Sequence, residues 1–140
     1  MPTNFLLVML NNNSINNDKV LDLVLNKRFW NSVASGDKTE VYRIINPLSI
    51  LHFINEEYHP CFDTWNIVND FIFWYNFTKL DRNIIFRGYD VVCFHLLYPE
   101  ISMSFKIEAI SVKHGEFCSL IWGADPDKYY FVIKLGERIS

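Results

Sequence analysis

Lys38, Thr39, Glu40 and Arg43 lie close together in the stretch SGDKTEVYR, which spans residues 35–43. A lysine ammonium and a planar arginine guanidinium are side chains that pair readily with phosphate groups and base edges. The pattern therefore has two interpretations. Either the stretch is a solvated surface on which Arg43 pairs with Glu40 or another carboxylate, or its cations line a binding pocket.

Two short elements must position these side chains. Asn26 is a good helix N-cap, and Gly36 suits the left-handed position just after a helix, so the sequence between them predicts a helix of two to three turns. Residues 39–44 are rich in β-branched and aromatic side chains and predict a strand. The local order is then helix, glycine turn, strand.

Strand alternation decides which of these side chains can meet. Thr39, Val41 and Arg43 share one face of the predicted strand, and Glu40 and Tyr42 share the other. If Lys38 lies in the turn, it can swing to the lip of a pocket that contains Arg43. Such a pocket, with Thr39 and Val41 beside Arg43, would bind a ligand rather than cleave it.

The rest of the chain predicts a mixed α+β domain. Strands are predicted over residues 21–25 and 89–97, and alternating strands over 101–110 and 128–139, where Tyr129, Phe131, Ile133 and Leu135 would form one face. Helices are predicted from Asn46-Pro47 and, with Asp63 as a possible cap, through the aromatic run FIFWYNF. This run also has strong strand propensity, so a strand stays the alternative for residues 62–79. Phe5–Leu10 predicts a strand or a buried arm.

Length and charge limit the function. The chain has 140 residues, which predicts a single domain, and its formal net charge is −3 with a pI of about 5.7. This balance argues against the broad basic surface of a non-specific nucleic-acid binder. The net charge does not exclude a local basic cleft on an otherwise acidic protein.

Cysteines and hydropathy indicate a reducing compartment. Cys61, Cys93 and Cys118 are odd in number and widely spaced, so buried thiols fit better than disulfides. With His59, His95 and His114 they show no recognised zinc spacing, so neither a metal nor a cofactor is predicted. No segment approaches a membrane span, and a cytoplasmic protein is expected.

Three ordered segments resemble the ASCH family of small PUA-like β-barrel domains. They are FWNSVASGDKTEVYRIINP, YDVVCF and WGADPDKYYFVIKLGERI, and within the first Gly36, Lys38 and Arg43 match the family's G-x-K-x-x-E-x-R pattern. The resemblance covers roughly residues 20–56 and 84–139 and is greatest to a bacterial and phage branch. Residues 1–19 and about 57–83 look like an N-terminal extension and an aromatic-rich insertion.

The resemblance implies a PUA-like mixed barrel with peripheral helices that binds RNA or a modified nucleoside. Lys38, Thr39 and Arg43 would engage phosphate or base edges, and Trp122 or Tyr42 would stack on a base. Some family members are amidohydrolases on acetylated cytidine or ribonucleases, which would make Lys38 catalytic, helped by Glu40 or Glu116. Val41 occupies the position of the family's polar residue, so binding without catalysis is favoured.

Other features carry alternatives. Trp122 could instead plug one end of the barrel, His95 reads as a satisfied core or pocket-edge histidine, and His114 beside Glu116 could be an acid/base group. An aromatic helix over residues 62–77 would leave an apolar face, which predicts a protein partner or a homodimer.

Overall fold

The computed structural model describes residues 19–62 and 64–140. The predicted element at Phe5–Leu10 and the predicted cap Asp63 lie outside these residues. The elements are, in chain order, β1 (Val20–Val24), α1 (Lys27–Ala34), β2 (Glu40–Ile44), α2 (Pro47–Phe53), a 3-10 helix (Glu56–Phe62), α3 (Ile67–Phe77), α4 (Arg82–Ile85), β3 (Val91–Leu96), β4 (Ile101–His114), a 3-10 turn (Gly115–Phe117) and β5 (Tyr129–Arg138).

The five described strands form one sheet in the order β1-β3-β4-β5-β2. β1 pairs with β3 in parallel, and β3 pairs with β4 antiparallel. The mixture of this sheet with several helices confirms the predicted α+β class. The PUA-like barrel stays a prediction.

The described chain divides into two compact units that interleave along the sequence. The first unit contains residues 19–41, Tyr89–Ala109 and Ile133–Ser140, and the second contains Tyr42–Gly88 and Ile110–Val132. The chain passes between the units inside β4 and β5, and also between Val41 and Tyr42 in β2. The prediction of a single domain stays a prediction.

Side-chain caps explain where two helices begin. The side chain of Asn26 accepts a hydrogen bond from the Arg28 backbone N–H, which confirms the predicted start of α1. At α2, Asn46 and Ser49 each accept from the other's backbone N–H, a reciprocal capping box with Pro47 at the first helical position. Of the two alternatives for the aromatic run, the structure has the helix, α3, with Asn66 at its N-cap position.

In the first unit, the strands β1, β3 and β4 have one buried face. Leu21 lies opposite Val92 and Leu23 opposite Phe94, and all four side chains are buried. Strand alternation sends the intervening side chains, Asp22 and Cys93 among them, to the other face of the sheet. That face is half-exposed and carries polar groups.

In the second unit, the core is built around the fully buried ring of Phe131. This ring stacks on Phe53 at a centroid distance of 4.6 Å and an interplanar angle of 11°. Phe71 and Phe86 pack against it at 5.7 and 6.3 Å. The second unit therefore uses the aromatic residues of α2, α3 and the chain before β3 as its core.

The predicted alternation of β5 is wrong over its first half. Tyr129 is 38% exposed, and the four residues that follow, Tyr130 to Ile133, are all buried. Both faces of the strand are covered there, because Tyr130 and Val132 pack in a second apolar cluster with Ala124. In β4 the buried alternation of Met103 and Phe105 ends at Phe105, since Ala109 is exposed.

Within residues 19–62 and 64–140, no helix combines the length and the apolar composition that crossing a membrane would require.

Phe131→Ala should lower the free energy of unfolding by about 3–5 kcal/mol, because the truncation leaves a cavity among packed aromatic rings. Ile121→Ala is the control, since Ile121 is 85% exposed and its loss should cost well under 1 kcal/mol. Chemical denaturation of the full chain measures both. Equal losses for the two variants would contradict a core centred on Phe131.

Candidate functional site

The structure places Lys38 inside the first unit and not at an exposed lip. Gly36 ends α1 with a φ of +84°, and the Lys38 backbone N–H then donates to the carbonyl oxygen of Ser32. This turn directs the lysine back along the helix. Only 3% of Lys38 is exposed, and its Nζ lies 3.6 Å from the centroid of the Phe29 ring. The ammonium group therefore makes a buried cation–π contact.

The other motif residues are divided between the units. Thr39 is exposed and its carbonyl oxygen accepts from the Leu135 N–H, whereas Val41 is 3% exposed and belongs to the core. Arg43, in the second unit, is partly buried, and desolvation lowers the pKa of its guanidinium from the usual value. The convergence of Lys38 and Arg43 on one hollow stays a prediction.

Tyr42 and Trp122 both form hydrogen bonds with Ser119 in the second unit. The Tyr42 hydroxyl accepts from the Ser119 backbone N–H at 3.0 Å, and the Trp122 backbone N–H donates to the carbonyl oxygen of Ser119. The Tyr42 ring also packs on Tyr130 at 5.8 Å. Tyr42 therefore helps to hold the loop that contains Ser119 in place. Trp122 is half-buried.

A cavity of about 470 Å³, open to solvent, lies in the second unit. It is lined by residues from the end of α3, the end of β4, the following turn and the start of β5: Asn76, Val112, Lys113, His114, Glu116, Phe117 and Tyr129. Its size is within the range of small-molecule sites. We call this cavity the β4–β5 groove.

The turn at Gly115 fixes one wall of the groove. The Gly115 N–H donates to the Lys128 carbonyl oxygen at 2.6 Å, and a Cβ atom at residue 115 would overlap the carbonyl oxygen of Asp125. Only glycine permits this close approach of two backbone segments. The turn is further held by Cys118, whose backbone N–H donates to the Gly115 carbonyl.

His114 is the ionisable group at the centre of this wall. Its ring lies edge-on to Tyr129 with centroids 4.7 Å apart. Its Nδ1 atom lies 3.4 Å from the Glu116 backbone nitrogen and 3.3 Å from Glu116 Oε1. Both contacts involve Nδ1, so the turn itself engages this nitrogen, and Nε2 is the ring nitrogen that can contact a ligand.

Sequence reasoning found only part of this groove. It named His114 and Glu116 as neighbours in a turn, but it missed Asn76, Phe117 and Tyr129. The predicted alternation of β5 groups Tyr129 with Phe131, Ile133 and Leu135. Tyr129 is nevertheless 38% exposed, because it is the first residue of the strand. No local signal marks Asn76, because its role depends on where α3 packs.

A second polar cluster lies on the half-exposed sheet face of the first unit. Asp22 lies opposite Cys93 in the β1–β3 register, and His95 follows Cys93 by two residues. His95 Nε2 lies 2.7 Å from Asp22 Oδ1, so the prediction of a satisfied histidine is confirmed. Two signals could have found this cluster: the C-x-H spacing on a strand, which puts both side chains on one face, and an aspartate inside an apolar strand.

The cluster changes the ionisation of His95. Side-chain hydrogen bonds of the imidazole with Asp22, first, and then with Cys93 raise the pKa of His95 to about 9, against the opposing effect of burial. The Asp22 and His95 side chains are only 6% and 20% exposed, so water screens their contact weakly.

The aromatic helix α3 leaves large apolar side chains in solvent. Phe73 and Phe77 are 67% and 71% exposed, and their rings lie 4.7 Å apart one helical turn from each other. Trp65, just before α3, is fully exposed. On the opposite side of the helix Phe71 and Tyr75 are buried. The exposed apolar face predicted for residues 62–77 is present, and its partner stays a prediction.

Comparison with known proteins gives no relative: no family model, no curated protein and no solved structure matches the chain. The ASCH likeness therefore stays a resemblance in the motif residues.

Lys38→Ala should lower the free energy of unfolding by about 2 kcal/mol, because it removes a desolvated cation–π contact and a buried aliphatic stem. Lys106→Ala, at a lysine side chain that is 62% exposed, should change stability little. Urea denaturation compares the two. An unchanged stability for Lys38→Ala, combined with lost ligand binding, would instead assign Lys38 to a binding site.

The free energy of unfolding should depend on pH through His95. Its folded pKa of about 9 exceeds the ordinary value near 6.5, so its stabilising effect is complete below about pH 6.5 and is lost as pH rises through about 9. The loss should be about 2–3 kcal/mol. Denaturation between pH 6 and 10, with chelator present, measures it. His95→Gln should remove this slope, and an identical slope in the variant would contradict the assignment.

Proposed function

We propose that the protein binds a nucleoside or nucleobase in the β4–β5 groove. The observation that carries this proposal is the pairing of aromatic and polar groups in one cavity of about 470 Å³. Phe117, 74% exposed, and Tyr129 offer flat apolar surfaces on which a base can stack. The Asn76 amide, the His114 imidazole and Lys113 offer donors and acceptors for its edge.

The charge of the groove favours a base over the backbone of a long RNA. Lys113 and Glu116 contribute one charge of each sign to the lining, and the whole chain carries a formal net charge of −3. Tight binding of an RNA backbone needs several cations that each neutralise a phosphate. An uncharged nucleoside avoids this requirement, since stacking on aromatic rings contributes about 1–3 kcal/mol per base.

Membership in the ASCH family and a PUA-like barrel belong to the same proposal. The α+β class and the confirmed helix–glycine–strand order around Lys38 support them. Here the buried Lys38 would hold α1 to the following turn, and base recognition would belong to the groove. We place this function in the cytoplasm, as the sequence predicts. Of the three cysteines predicted to be buried thiols, Cys93 and Cys118 are partly buried, and the prediction is wrong for Cys61, which is exposed.

A second candidate function is self-association through α3. The exposed Phe73–Phe77 pair and the fully exposed Trp65 favour it, because burying such rings against a second copy removes apolar surface from water.

The nucleoside proposal is tested by titrating the full chain with cytidine, with N4-acetylcytidine and with an eight-nucleotide RNA at two salt concentrations. Tyr129→Ala should weaken nucleoside binding about tenfold or more, because it removes a stacking surface. Tyr129→Phe should retain most affinity. Tyr98→Ala, at a tyrosine that is 86% exposed and outside the groove, is the control.

Three results would contradict the proposal: no binding of either nucleoside at millimolar concentration, equal affinity in Tyr129→Ala, or binding of RNA alone with a steep salt dependence. The last result would indicate recognition of the phosphate backbone. Conversion of N4-acetylcytidine would show an enzyme and not a binding module.

For self-association, sedimentation velocity at micromolar concentration should show a dimer that the double substitution Phe73→Ser and Phe77→Ser converts to a monomer. Leu48→Ser, in α2 at a residue 79% exposed, should leave the dimer intact. A monomeric wild-type chain would refute this candidate.

A further inference from the structure

We propose that Asp22, Cys93 and His95 bind one transition-metal ion, with Zn²⁺ the best match. One ligand atom from each residue, a carboxylate oxygen, a thiol sulfur and a ring nitrogen, lies within 4.8 Å of the other two. This site is in the first unit and is independent of the groove in the second. It is also absent from the sequence prediction, which expected no metal.

The sheet holds the three ligands in place. Asp22 and Cys93 are register partners on the parallel strands β1 and β3, and neighbouring strands are about 4.8 Å apart. Cys93 and His95 are two residues apart on β3, so their side chains point to the same face. A site on paired strands needs little chain ordering when the ion binds, because the sheet's hydrogen bonds already fix the backbone.

The separations suit a tetrahedral ion after a small adjustment. Zn–ligand distances of about 2.0–2.3 Å place tetrahedral ligand atoms about 3.3–3.8 Å from one another. The contact between His95 Nε2 and Asp22 Oδ1 is 2.7 Å, and the largest separation in the cluster does not exceed 4.8 Å. Rotamer movements of several tenths of an ångström up to about 1 Å would bring all three atoms into range.

The ligand types select the class of metal. A thiolate and an imidazole favour Zn²⁺ and related ions such as Co²⁺, whereas Ca²⁺ and Mg²⁺ require oxygen ligands. Cys93 would bind as the thiolate and release its proton to solvent, and the ion would replace the proton that joins His95 to Asp22.

Three protein ligands leave a fourth position for water or another small ligand. Cys93 is partly buried and the His95 side chain is 20% exposed, so solvent can reach the ion on their side. Ser102 and Ser104 of β4 lie at the register positions opposite His95 and Cys93, where their hydroxyls would border the ion's open side. This arrangement, three ligands and an open position, is typical of zinc sites that bind or activate a ligand and not of closed structural sites.

The test uses the full chain, stripped with a chelator and titrated with Co²⁺ and then with Zn²⁺. We expect one equivalent of Co²⁺ to give a thiolate-to-metal charge-transfer band and tetrahedral d–d bands, and Zn²⁺ to displace it. Cys93→Ser should abolish the charge-transfer band and weaken binding at least tenfold. Cys61→Ser and Cys118→Ser are matched controls that should keep the full signal.

His95→Gln and Asp22→Asn give a second route if Cys93→Ser does not fold, as judged by circular dichroism. Each should weaken Zn²⁺ binding at least tenfold while leaving nucleoside binding in the groove unchanged. The proposal is overturned by the absence of stoichiometric Co²⁺ binding. It is equally overturned if the charge-transfer band persists in Cys93→Ser or disappears only in the Cys61 or Cys118 variant.

Discussion

The parallel register of β1 against β3 is the constraint on which the first unit depends. Leu21 and Leu23 enter the core opposite Val92 and Phe94, so the residues between them must take the other face. A slip of one residue would bury Asp22 and expose both leucines, which the loss of apolar burial forbids. The polar cluster of Asp22, Cys93 and His95 is thus placed by the hydrophobic residues beside it.

In the second unit, many aromatic side chains pack around one buried ring. Rings from several elements pack around Phe131 in one core. This packing accounts for the aromatic residues on the buried side of α3. The run is longer than one helix face can bury, so Phe73 and Phe77 stay in solvent. The loop from Ser119 to Tyr130 is fixed by tyrosine hydroxyls that accept backbone N–H groups at Ser119 and Asp125. Two further aromatic residues of this unit, Phe117 and Tyr129, line the β4–β5 groove.

Lys38 shows how a motif can mislead when only its spacing is read. The glycine turn and the following strand were predicted correctly, and so was the short helix before them. The spacing leaves the direction of the lysine open, because its long stem permits either an exposed or a buried ammonium. The burial of the ammonium is fixed by two contacts: the hydrogen bond from the Lys38 backbone N–H to Ser32, and the ring of Phe29. Both contacts depend on how the turn folds back on α1.

Local sequence signals specify several elements of this protein: the Asn26 and Asn46 caps, the glycine after α1, the β-branched strands and the α+β class. These features depend on residues a few positions apart, where backbone sterics and side-chain hydrogen bonds act directly. Tertiary packing brings Asp22 to His95, across 73 residues, and makes Asn76 and Tyr129 line the same groove. Such pairings follow from which apolar faces pack together, and that choice minimises exposed apolar surface over the whole chain, so no short stretch encodes it.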